Sequence, residues 1–254
     1  MAETTEKISF EMILSKAAQL PLVHIDRLEF LSKQFSKKVE PAQLQTLLLL
    51  GAPKAGVPIP VIDEAAKGCI AHETTTVTAL STAAGIPGGL AMIGTIPGDM
   101  VQFYGHMLRI AQKLAYLYGW PDMFAEMDDG TMNLLTLFLG VMFGVQAATG
   151  AVTKIAEMLT VNVPKQLVKQ ALTKGTIYPI VKQVAKQLGV QMTKEIFAKG
   201  VGKIIPVVGG VVCGGLTFAM FFPMSNKLKR YLSKIAKNMD AYPQDEFAIV
   251  EVEE

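Results

Sequence analysis

Pro97 to Pro121 reads "PGDMVQFYGHMLRIAQKLAYLYGWP", and its apolar residues recur at steps of three and four. Met100, Phe103, Met107, Ile110, Leu114 and Leu117 fall on one face of a helix. Asp99, Gln102, His106, Arg109 and Lys113 share the complementary face. Pro97 suits a first helical turn, and Gly119 followed by Trp120-Pro121 closes the helix with a terminal glycine and a breaker. Nowhere else does the chain collect acid, amide, imidazole and guanidinium on one surface. The plain reading of that surface is a solvated face, with Asp99 favoured in the first turn by the helix dipole, an effect of about 0.3–1 kcal/mol. The alternative is an anion clamp of His106, Arg109 and Lys113 with Asp99 as its carboxylate.

Working outward, the residues before this helix, "AAGIPGGLAMIGTIP" at Ala83–Pro97, are small, apolar and uncharged. They belong to one of three uncharged stretches, Thr74–Gly98, Gly130–Thr153 and Ile204–Asn226, each exceeding the ~20 residues that span a bilayer as helix. Each holds glycines four apart, a spacing that lets helix backbones approach closely: Gly85/Gly89 and Gly94/Gly98, Gly140/Gly144, Gly210/Gly214. Pro87 turns the Gly85/Gly89 pair into a reversal. The first and third stretches resemble each other: "AKG" at Ala66–Gly68 and Ala198–Gly200, then "GIPGG" or "IPVVGG", then an apolar run and a polar helix. This predicts two related units, each a helix, a Gly-rich apolar hairpin and a second helix.

The rest also reads helical. "EKISFEMILSKAAQL", "HIDRLEFLSKQFSKKV" and "PAQLQTLLLLGAP" carry amphipathic spacing, the last with Pro41 in its first turn and Gly51 past its end. A turn at "VPIP" starts a helix running towards Ala83. Alternation suggesting a strand appears only weakly, at Phe247–Val252. The fold class expected is all-α: a compact helical domain over residues 21–239, an amphipathic helix over 1–20, and an acidic tail over 240–254.

The 254 residues suffice for one large domain or two small ones. Charged residues are 18%, against about 25% in soluble domains, so more apolar surface needs cover. Cys69 and Cys213 lack metal-ligand spacing and read as buried thiols. His24, His72 and His106 build no zinc motif; "HETTT" at His72–Thr76 opens like a metalloprotease helix but lacks the second histidine. "GIPGGLAM" lacks the Lys-Ser/Thr ending of a phosphate loop, so no cofactor is expected. The opening "MAETTEKISFEMILSK" has no secretory character, so a chain kept inside the cell is the expectation.

The net charge of +2 hides an asymmetry. Lys154 to Lys203 is rich in lysine and poor in acid, "KLKRYLSKIAK" at Lys227–Lys237 is a second basic run, and the tail "DEFAIVEVEE" is acidic. Near anionic lipid each such cation contributes about 1 kcal/mol. The candidate lipid-facing cations are Lys165, Lys169, Lys182, Lys186, Lys199, Lys203, Lys227, Lys229 and Arg230. Nucleic acid is not an expected partner, because aromatic residues and RNA-binding glycine patterns are not interleaved with the basic runs.

"AAGIPGGLAMIGTIPGDMVQFYGHMLRIAQKLAYLYGW" at Ala83–Trp120 resembles the signature of the bacterial EcsC family. The elements that carry the resemblance are Pro97 and Asp99, the glutamines Gln102 and Gln112, and Tyr118-Gly119. "KGVGKIIPVVGGVVCGGLTFAMFF" at Lys199–Phe222 resembles the family's C-terminal Ile-Pro/Gly-rich element. The resemblance covers residues 20–235. It implies a bacterial helical protein encoded near an ABC-type exporter, and it supplies no catalytic residues.

The function expected is a non-enzymatic, membrane-associated helical protein of the bacterial cytoplasmic face, peripheral to the membrane or partly inserted. Its partners would be anionic lipid or a membrane protein, by family context an ABC-type exporter. Two alternatives stand beside it: a soluble enzyme or small-ligand binder using Asp99, Gln102, His106, Arg109 and Gln112, and a pore-former whose apolar stretches span.

Overall fold

In a computed structural model, residues 9–85, 98–161, 163–200 and 206–239 are described. The side chains of 82–85, 99, 191–200, 206–214, 216 and 239 lie outside that description, as do the weak alternation at Phe247–Val252 and the "GIPGG" turn beyond Gly85; of "IPVVGG" at 205–210 the part from Pro206 is helical rather than a turn. The described residues form α1 (Phe10–Ala18), a 3-10 turn (Pro21–Val23), α2 (Arg27–Phe35), α3 (Pro41–Leu50), α4 (Ile59–Gly85) and α5 (Gly98–Leu117). There follow α6 (Asp129–Phe143), α7 (Gln146–Thr160), α8 (Lys165–Thr173), α9 (Tyr178–Gly200) and α10 (Pro206–Met239). Among the described residues there is no strand, and the fold is all-α.

Local chemistry sets the helix ends. Ser9, Asp26 and Asp128 each accept a backbone N–H from the first turn of α1, α2 and α6. Where α5 ends, Trp120 N–H donates to Ala115 O and Gly119 N–H to Tyr116 O, a Schellman closure. Gly51, at φ +91°, backs onto that reversal so closely that a Cβ there would stand 2.8 Å from the Gly119 Cα. Buried Arg27 joins the two turns, donating from Nη1 to Leu48 O (2.6 Å) and from Nε to Trp120 O (3.4 Å).

One hydrophobic core draws on every helix from α1 to α10. α5 lies at its centre, with Tyr104, Met107, Leu108, Ile110, Ala111, Leu114 and Tyr116 fully buried. α4 and α5 run antiparallel, since Tyr118, just past the end of α5, donates to Asp63 at the start of α4 and His106 meets Glu73 further on. α5 and α10 run parallel: Phe103 packs on Phe221 at 6.0 Å, and the Tyr118 hydroxyl reaches Ser233. The last turn of α4 and the first turns of α5 and α10 therefore lie at one end of a three-helix group.

The expected spans are corrected here. Gly130–Thr153 is no single span: Gly144, at φ +84°, closes α6, and α7 restarts at Gln146. Of the Gly140/Gly144 pair only Gly140 serves close packing, with an added Cβ 2.6 Å from both Ala148 and Val184. No helix, over its described residues, is long and apolar enough to cross a membrane, so the pore-forming alternative lacks its spans. Among the described residues α9 packs on α1, α6, α7 and α8, whereas α10 packs most extensively along α4 and also touches α5, α6 and α7.

Candidate functional site

α4 supplies one buried carboxylate, Glu73, and α5 supplies an imidazole and two cations at steps of three and four, His106, Arg109 and Lys113. His106 Nδ1 lies 2.8 Å from Glu73 Oε2. Arg109 Nε donates to Oε1 at 2.8 Å, and Lys113 Nζ donates to the same oxygen. Arg109 Nη1 also reaches Leu22 O in the 3-10 turn, one turn from where Gln112 Nε2 donates to Val23 O at 2.9 Å. Lys113 stands over the Phe30 ring of α2 at 6.0 Å. Two like charges on one stripe repel; a carboxylate that both share, and that also meets the imidazole, turns the repulsion into a clamp between α4 and α5. Burial by itself would raise the Glu73 pKa, but hydrogen bonds from His106, Lys113 and Arg109 outweigh it and hold the carboxyl at about 2.

The solvated face expected on α5 is thus overturned. His106 and Lys113 are buried, Gln112 is fully buried, and Arg109 is half-buried, because α4, α2 and the 3-10 turn cover that side. The structure gathers His106, Arg109 and Lys113, and Gln112 joins through a neighbouring carbonyl. Gln102 does not join them; among the described residues its buried Oε1 has no partner, and neither has the buried His106 Nε2. The Asp99 side chain lies outside the described residues. Glu73 is the member that sequence reasoning passed over. Its signal was there, as the acid immediately before the uncharged Thr74–Gly98 stretch, inside the "HETTT" weighed as a metal motif. Among the described residues no group of His, Cys, Asp and Glu is arranged to hold a metal. Cys69 is buried and free, and burial pushes its thiol up to about 11.

A carboxylate fixing an imidazole with its far nitrogen free is half of an acid–base device. The other half needs a substrate space. The two clefts described lie elsewhere: one of about 370 Å³ beside Asp128, Lys169 and Lys174, one of about 340 Å³ between α1, α6 and α9 beside Phe10, Met132 and Val181. Neither touches Glu73 or His106.

The cations proposed for lipid fall into two groups. On α8 and α9, Lys165 donates to Asp122 O (3.1 Å), Lys169 is paired with Asp128 (2.6 Å), Lys182 covers the Tyr178 ring (4.6 Å), and Lys186 is exposed. The Lys199 side chain and Lys203 lie outside the described residues. On α10, Lys229 is corrected from surface to interior: it is buried with Leu228 and Leu232 on the side packed against α4, 4.0 Å from Asp63. Lys227, Arg230, Lys234 and Lys237 are exposed, and among the described residues no carboxylate lies within ion-pair distance of them. Lys227 reaches over Gly144, where the carbonyl end of α6 favours a cation. The sequence of α10 contains no acid.

Upstream on the same helix Phe218 and Phe222 are 51% and 42% exposed and stack on each other at 5.6 Å with rings 4° from parallel. Leu80, near the facing end of α4, is 45% exposed. Exposed aromatic rings beside unpaired cations are the side-chain chemistry of a bilayer interface. Comparisons with protein families, with characterised proteins and with solved structures find no match to this chain.

Proposed function

We propose that this chain is a membrane-associated helical protein of the bacterial cytoplasmic face, which attaches to anionic lipid without crossing the bilayer. The observation that carries the reading is α10: a stacked, exposed Phe218/Phe222 pair followed by Lys227, Arg230, Lys234 and Lys237 in solvent. Burying half-exposed aromatic rings in an interface is favourable by about 25 cal/mol per Å², and each cation near anionic headgroups adds about 1 kcal/mol. The resemblance of Ala83–Trp120 to the EcsC signature adds a context, a bacterial protein encoded near an ABC-type exporter, which makes a membrane-protein partner the companion proposal.

Fractionating cells and washing the membranes with high salt and then carbonate tests the reading. Salt or carbonate release from the membrane fraction is expected. A chain found wholly in the soluble fraction would overturn it.

A second reading has its own observation, the Glu73–His106 pair with a buried, unpartnered Nε2. It makes the protein a binder or enzyme acting on a small anion. An activity or ligand affinity lost in His106→Gln with the melting temperature unchanged would favour it.

A further inference from the structure

We infer that the attachment surface is the shared end of α4 and α10, docked steeply onto an anionic bilayer so that Phe218, Phe222 and Leu80 enter the interface and Lys227 and Arg230 meet the headgroups. The inference rests on the membrane reading above and adds where the protein touches and how it stands.

The exposed apolar side chains of this surface come from two helices at one end of the fold, while its cations come from one helix behind that end. α4 is uncharged from Thr74 onward and α10 up to Asn226, and the antiparallel packing brings these two uncharged parts together. α5 begins at the same end and brings a single acid there, Asp99. At 1.5 Å per residue, Lys227 lies about 8 Å along α10 from Phe222, Arg230 about 12 Å, Lys234 about 18 Å and Lys237 about 22 Å. The headgroup layer is about 5–8 Å thick on each side, and the Debye length in physiological salt is about 8 Å. With the rings at the acyl boundary and the helix steep, the uncharged first 12 residues of α10, about 18 Å long, enter the roughly 30 Å hydrocarbon core without crossing it, and Lys227 and Arg230 sit within reach of lipid charge. Lys234 and Lys237 sit beyond it. A helix lying flat would engage all four equally. The partner is the bilayer surface itself, because unpaired positive charge with no acid on α10 complements anionic headgroups.

The experiment uses the full chain and two kinds of vesicle, phosphatidylcholine alone and phosphatidylcholine mixed with phosphatidylserine, with binding read by co-sedimentation. Lys227→Gln/Arg230→Gln should bind the mixed vesicles about 30-fold more weakly, from about five-fold per cation. Phe218→Ser/Phe222→Ser should lose about ten-fold or more. Lys234→Gln/Lys237→Gln and the α9 pair Lys182→Gln/Lys186→Gln should stay within about two-fold of the parent. Denaturation midpoints close to the parent's confirm that the variants are folded. Equal losses from the near and far α10 pairs, a larger loss from the α9 pair, or an unaffected phenylalanine variant would overturn the inference while leaving membrane attachment intact. Self-association of the parent that disappears in the phenylalanine variant would assign the rings to a second copy and overturn it as well. A parent that ignores phosphatidylserine fails the membrane reading itself.

Discussion

α5 and α10 run parallel beside α4, and each carries a set of cations, yet the two sets have opposite fates. On α5, His106, Arg109 and Lys113 turn inward and share Glu73. On α10, Lys227, Arg230, Lys234 and Lys237 stay in solvent, and only Lys229 turns towards α4 and Asp63. The difference comes from which side of each helix meets α4: α5 turns its cations onto α4 at buried Glu73, whereas on α10 only Lys229 lies on the side packed against α4, near Asp63, and the other four cations are exposed. Buried cations need a counter-charge and become structural; unpaired surface cations cost the fold little and remain free for another surface.

Removing the counter-charge should break the α5 set most severely. Glu73→Ala leaves Arg109 and Lys113 without their carboxylate inside the fold and should cost about 3–5 kcal/mol in a denaturant titration. A loss below about 1 kcal/mol would mean that solvent reaches the cluster and that it is no clamp.

Acid should do the same reversibly. Folded Glu73 titrates at about 2 against an ordinary 4.5, so between those values the unfolded chain binds the extra proton. The stabilisation is complete above pH 4.5 and is lost as pH falls through about 2, on the order of 3 kcal/mol. Subtracting the acid unfolding curve of Glu73→Gln from that of the parent should isolate this dependence; superimposable pH slopes would contradict it.

Two glycines sharpen the contrast at the ends of helices. Gly51 needs a positive φ and lies against the Gly119 backbone behind α5, so Gly51→Ala should cost about 2–3 kcal/mol through strain and overpacking. At Gly144, also at positive φ, an added Cβ would meet the Lys227 ammonium end, 2.7 Å away but free to swing aside. Gly144→Ala should therefore cost only about 1 kcal/mol. The reverse order in thermal melts would place the tighter packing on the α10 side.

The smallest stability effect belongs to α10. Arg230→Gln should change the unfolding free energy by no more than about 0.5 kcal/mol, as for a surface substitution without a partner. A cost like that of Glu73→Ala would erase the distinction between the two helices.

Much of the helical layout was legible because it is written locally. Pro41 and Gly51 bracket α3, and Gly119 with Pro121 closes α5, through turn chemistry that short sequence spans encode. Periodicity also placed His106, Arg109 and Lys113 together on one face. It could not say what would cover them, because Glu73 lies 33 residues before His106 and its contact depends on α4 folding back along α5. The same limit explains Lys229, whose neighbours in sequence look like a basic surface while its side chain faces Asp63 across α4. Gly144 misled differently: a glycine four residues after another reads as close packing, whereas its positive φ ends the helix.

Raising salt on the parent protein, with vesicle binding and the denaturation midpoint followed in parallel, tests the central claim most directly. Exposed charges are screened within a Debye length, while buried pairs are screened far less. Between about 0.05 M and about 0.5 M salt, affinity for phosphatidylserine-containing vesicles should fall at least about ten-fold while the midpoint scarcely moves. Binding that ignores salt, or a midpoint that falls in step with it, would contradict the assignment of α5's cations to the fold and α10's to the membrane.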